Sequence, residues 1–111
     1  MDEDRRRAKR HALWIPVELR AGDDTYLLAV SRNISFTGVL VIVGASLDEG
    51  QRVALTLSIP GGGERAVGGE IVRVGANEED PDGLWRHLLA IAFDEPVPEL
   101  EAAFERLEAR A

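Results

Sequence analysis

Cysteine is absent from this 111-residue chain. That excludes disulfides, thiolate chemistry and cysteine-ligated zinc. Long apolar runs are missing as well. No stretch approaches the roughly 18 residues that a membrane helix needs, so no membrane insertion is expected. The opening residues, Met1-Asp2-Glu3-Asp4, are acidic, and no apolar segment follows the arginines behind them. A secretory signal is therefore not expected, and the cytoplasm is the default compartment. Histidine occurs only at His11 and His87, far apart and in no metal-ligand spacing. No Ser/His/Asp set accompanies a nucleophile turn, and paired carboxylates fall only in loop-like stretches. The sequence thus offers no catalytic set, and neither an enzyme, a metal site nor a resident cofactor is expected. Internal repeats and low-complexity segments are also lacking.

What is present suits one folded domain with a modest core: the length, and a hydrophobic content of 45%. The formal net charge is −7, yet five of the 13 basic residues crowd into Arg5-Arg6-Arg7-Ala8-Lys9-Arg10. Residues 1–11 carry a net +2 and the remaining 100 carry −9. Acidity over the body of the chain argues against a general DNA or RNA binder, whose footprint is a basic face. A small anion held at one local site fits this distribution better. A solvated basic tail is the alternative reading of the cluster on charge alone.

Period-two alternation dominates the rest. Ile15, Val17 and Leu19 alternate with Pro16, Glu18 and Arg20, which predicts a strand over 13–20 with Pro16 at an edge or near its start. Further strands are predicted from Tyr26 to about Arg32, over Gly38–Val43, Arg52–Ile59 and Glu64–Val74, and over Leu84–Phe93. Asn33 to Gly38 reads as a polar turn that breaks the second strand. Gly44 to Gly50 is a connector with room for one helical turn. The paired glycines Gly68 and Gly69 suggest a bulge or sharp bend. Glu78, Glu79, Asp80 and Asp82 read as a solvated acidic loop, and Trp14 and Trp85 as packing residues. His87 reads as an ordinary rim residue. Pro98 is placed to open a helix. Leu100, Phe104 and Leu107 then form an apolar stripe, which either caps the strands or docks on a partner. Six antiparallel strands at this spacing predict a small barrel or sandwich.

Two stretches remain: Arg5-Arg6-x-x-x-Arg10, and Asn33-x-Ser35-x-x-Gly38 between two strands. In this order and ahead of an all-β pattern, the pair resembles the PilZ domain, a bacterial receptor for the second messenger cyclic di-GMP. The resemblance covers nearly the whole chain. It implies an all-β fold, a six-stranded antiparallel barrel with a short C-terminal α-helix. Residues 1–12 would be an arginine-rich clasping loop, 13–95 the barrel and 96–111 the helix, all one domain. It implies cyclic di-GMP as ligand, with Arg5, Arg6, Arg10, Asn33, Ser35 and Gly38 as the binding residues, and an unidentified protein partner that reads the bound state. The chemistry agrees. The arginine fork bridges phosphate oxygens, matches guanine O6 and N7, and stacks on a base. Gly38 removes a side chain where chain and ligand come close. Asn33 stands where the family often has Asp, and it supplies no anionic acceptor for guanine. Some members of the family bind no nucleotide and act as protein-contact adaptors, the competing implication.

Overall fold

The computed structural model describes residues 13–22 and 24–110, apart from the side chains of 106–110. Among the described residues six strands, β1 (Pro16–Ala21), β2 (Thr25–Ser35), β3 (Gly38–Val43), β4 (Arg52–Ile59), β5 (Gly63–Ala76) and β6 (His87–Phe93), precede one helix, α1 (Pro98–Arg110). They close into a barrel in the order β1-β2-β3-β6-β5-β4. Every pairing is antiparallel. The alternation read in the sequence is the inward–outward alternation of the barrel wall. Val17 and Leu19 of β1, Val39, Val41 and Val43 of β3, Val53, Leu55 and Leu57 of β4, and Leu89 and Ile91 of β6 all point into one core.

The helix stoppers that core. Val97, Leu100, Ala103 and Phe104 are buried in the same cluster as the strand residues. Of the two readings of the apolar stripe, capping is what these residues do; the side chain of Leu107 lies outside the described residues. Pro98 occupies the first turn, where a missing N–H costs nothing. Glu99 and Glu101 in that turn complement the positive end of the helix dipole.

Several boundaries differ from expectation, each for a physical reason. β1 begins at Pro16, because Leu13 to Ile15 run in beside β2 without completing a ladder. β2 does not break at Asn33. It continues to Ser35, leaving only Phe36 and Thr37 as the turn. An extra residue makes this possible: Ser31 faces Val41 and Asn33 faces Leu40, so Arg32 is a bulge. Gly68 and Gly69 carry no bulge; their pairing with Ala54 and Val53 is continuous. Their lack of a side chain serves close packing instead, since a Cβ on Gly69 would stand 2.8 Å from the Ala92 carbonyl oxygen. The irregularity in β5 falls between Ile71 and Arg73. The 44–50 connector contains no helical turn. β6 starts at His87, three residues later than the sequence suggests.

Candidate functional site

The polar end of the β2–β3 hairpin is built by Ser35. Its side chain is fully buried. Its Oγ accepts the Thr37 N–H at 3.2 Å and shares a hydrogen bond with Thr37 Oγ1 at 3.1 Å. A short hydroxyl closing onto the N–H two residues on makes a tight turn without a left-handed residue. Gly38 completes the turn by close approach. Its φ is not positive, but a Cβ there would stand 2.7 Å from the Ile91 carbonyl oxygen of β6. The turn is then tied to the base of the barrel: the Phe93 N–H donates to the Thr37 carbonyl at 2.9 Å, and the Val97 N–H to the Phe36 carbonyl at 2.8 Å. Two backbone hydrogen bonds thus link the turn to the end of β6 and to the segment that opens α1.

Asn33 lies outside the core on the barrel's outer wall. The bulge places it beside Arg32, both half-buried, between the buried Ser31 and Ile34. Arg32 Nη1 lies 2.7 Å from Glu79 Oε1, so the acidic loop expected to be solvated reaches across to β2. That loop is a built structure. Asn77 is buried, its Nδ2 donates to the Trp85 carbonyl at 2.6 Å, and its Oδ1 accepts the Glu79 N–H at 3.3 Å. Asp80 Oδ2 accepts the Trp85 N–H at 3.0 Å. Among the described residues no cluster of His, Cys, Asp or Glu could hold a metal ion.

A residue that sequence reasoning missed fixes the lead-in to β1. Ser31 is fully buried in β2. Its Oγ accepts the Ile15 N–H at 2.9 Å and donates to the Leu13 carbonyl, and its own N–H donates to the Ile15 carbonyl at 3.0 Å. This clamp fastens the lead-in to β1 onto β2, two positions before Asn33. A serine on the inward parity of an apolar strand was the available signal. Trp14, within the clamped segment, is 62% exposed and is not a packing residue. Arg5, Arg6 and Arg10 lie outside the described residues; Asn33, Ser35 and Gly38 lie together at the β2–β3 end.

The opposite stretch of wall, on β1, β4 and β5, carries a shallow groove of about 510 Å³ over Ala54, Ala66 and Gly68. It shares no residue with the β2–β3 turn. The Tyr26 hydroxyl donates to Glu18 at its edge, a bond that raises the phenol above its ordinary pKa. No helix among the described residues is long and apolar enough to cross a membrane.

A closed six-stranded antiparallel barrel stoppered by a C-terminal helix, with a short polar turn between its second and third strands, defines a structural class. The PilZ domain model matches residues 4–110, and the chain belongs to the PilZ domain family. Solved structures agree on the fold. The inhibitor of motility MotI/DgrA of Bacillus subtilis superposes with a TM-score of 0.74 at 17% identity, over 95% of this chain and 52% of that one. This chain thus spans about half of that protein. The PilZ domain of YcgR from Escherichia coli, solved with c-di-GMP, gives 0.69 at 16% identity over 93% and 88%. The PilZ domain of CeSA from a cellulose-synthesizing bacterium gives 0.60 at 21% over 90% and 94%. No curated protein sequence matches the chain.

Proposed function

We propose that this chain is a bacterial cyclic di-GMP effector. The nucleotide binds between the arginines Arg5, Arg6 and Arg10 and the β2–β3 end, where Asn33, Ser35 and Gly38 stand. The observation that carries this reading is the Ser31 clamp. It holds Leu13 and Ile15 on β2, and Arg10 precedes Leu13 by only three residues. Three residues of extended chain span about 10 Å, which keeps Arg10 within reach of the clamp and supports the reading. The YcgR domain, a relative in fold, was solved with this ligand.

The roles divide by chemistry. Arg6 and Arg10 take phosphate oxygens and guanine edges with paired, charge-assisted hydrogen bonds, and Arg5 assists. Asn33 presents an amide on the outer wall. Ser35 shapes the turn through Thr37, and Gly38 lets the turn lie close on β6. The site offers recognition and no chemistry on the ligand, so the effect is a change of shape or order read by a protein partner. Only a partner that discriminates the two states can carry the signal. The link from Phe36 and Thr37 to Phe93 and Val97 offers a route to α1.

Calorimetric titration tests the reading. Cyclic di-GMP is expected to bind saturably, and Arg6→Ala or Arg10→Ala to weaken it by at least tenfold, with linear GMP as the control. Absence of heat and of any melting shift at high ligand would sink the receptor reading and leave a protein-contact adaptor.

A further inference from the structure

Arg32 and Trp14 have no part in the two motifs, yet both stand on the outer wall at the end of the clamp. The alternation of β1 runs inward at Ile15 and Val17, which turns Trp14 outward. Ser31 Oγ takes the Ile15 N–H and the Ile15 carbonyl takes the Ser31 N–H, so Trp14 and Arg32 are chain neighbours of one hydrogen-bonded pair. The bulge adds the second element. By inserting Arg32 between Ser31 and Asn33, it puts a guanidinium and the Asn33 amide side by side on one face. An exposed indole and a planar cation thus flank the site proposed above.

Each has the chemistry of a cyclic dinucleotide ligand. An indole offers a flat face on which a purine stacks irrespective of hydrogen bonding. A guanidinium offers paired donors to a phosphate or to the Hoogsteen edge of guanine. Arg32 is occupied at present by Glu79 through one nitrogen. That carboxylate is largely exposed, with 72% of its side-chain surface accessible against 31% for Arg32, so water competes for the pair and weakens it. A phosphodiester engaging the fork with two oxygens is the stronger partner. Yet Glu79 is not a floppy competitor, because Asn77 and Asp80 hold its loop in shape through Trp85.

We propose that Trp14 and Arg32 are further ligand contacts, Trp14 as a guanine platform and Arg32 as an anion or guanine-edge donor, and that Glu79 occupies Arg32 until the nucleotide replaces it. This rests on the reading of the chain as a cyclic di-GMP effector. The consequence is that ligand binding frees the loop over 77–86 from β2.

The test titrates cyclic di-GMP into the full chain and into Trp14→Ala, Trp14→Phe, Arg32→Ala, Arg32→Lys and Glu79→Gln, with melting curves to check that each variant folds. Trp14→Ala and Arg32→Ala are expected to weaken binding at least fivefold. Trp14→Phe should retain most of the affinity and Arg32→Lys should not, because a ring stacks whereas an ammonium has no fork. Glu79→Gln should tighten binding severalfold. Amide exchange over 77–86 should speed up on ligand addition in the wild type. Wild-type affinity in either alanine variant overturns the proposal while leaving the Arg6 and Arg10 reading intact. No gain in Glu79→Gln overturns the competitor role. A wild type that does not bind overturns both readings, and is recognised because Arg6→Ala then changes nothing.

Discussion

A methyl group at position 38 would stand 2.7 Å from the Ile91 carbonyl oxygen. That oxygen is backbone in the middle of β6, so it cannot swing away as the end of a side chain can. Gly38→Ala is therefore expected to lower unfolding stability by about 1–3 kcal/mol, the range for forcing an extra methyl into a packed site. Urea denaturation checks it, and a change within error would show that β3 and β6 part easily. The sequence alone suggested a glycine needed for a turn or for ligand approach; strand-to-strand contact is what the fold displays. The partners of Ser31 and Arg32 were illegible for a related reason. A clamp onto Leu13 and Ile15 and an ion pair to Glu79 join residues far apart in the chain, and no local pattern announces such pairs.

Elements were more legible than residues, because the barrel wall repeats one physical rule. β3 and β4 fall where alternation puts them, since every inward position is aliphatic. β2 was cut short because Asn33 and Ser35 are turn-formers. The bulge at Arg32 lets a strand carry them, turning Asn33 out and burying Ser35. The helix was legible from Pro98 and the spacing of Leu100 and Phe104, and its anchoring adds a pH dependence. Glu99 lies in the first turn of α1. Its hydrogen bond to its own backbone N–H, followed by the Arg65 side chain at 2.9 Å, holds its carboxyl below the ordinary glutamate value of 4.5. A depressed folded-state pKa means that the unfolded chain takes the proton first. The contribution is thus fully present above the ordinary value and is lost as pH falls through the lower folded one. Stability measured by urea midpoints between about pH 6 and pH 3 should decline on the acid side, and Glu99→Gln should flatten part of that decline. An identical slope in the variant would mean that neither the backbone bond nor the Arg65 contact of Glu99 persists in solution.

At the scale of the molecule, the proposed reading puts the anion clasp ahead of the folded core, in a different part of the chain. The described core runs from Ile15 to Phe104 and closes on itself, so none of the six strands leaves an unpaired edge. The arginines that would hold the anion precede it, in a segment of net +2 ahead of a body of −9. That body disfavours a long polyanion, in keeping with the small ligand proposed above. Removing residues 1–12 should accordingly leave thermal stability nearly unchanged while abolishing most of the ligand's effect. For the full chain, ligand at a hundredfold over its Kd adds about 2.7 kcal/mol by mass action. In a domain of this size that raises Tm by roughly 10 °C. The shortened chain keeps Trp14, Arg32 and the β2–β3 turn but lacks the phosphate clasp, so the same ligand should move its Tm by little. Scanning calorimetry of both forms, with and without cyclic di-GMP, separates the possibilities. A large shift in the shortened chain would place recognition on the barrel wall alone. A shortened chain that melts far below the full one would show that the arginine segment also belongs to the fold.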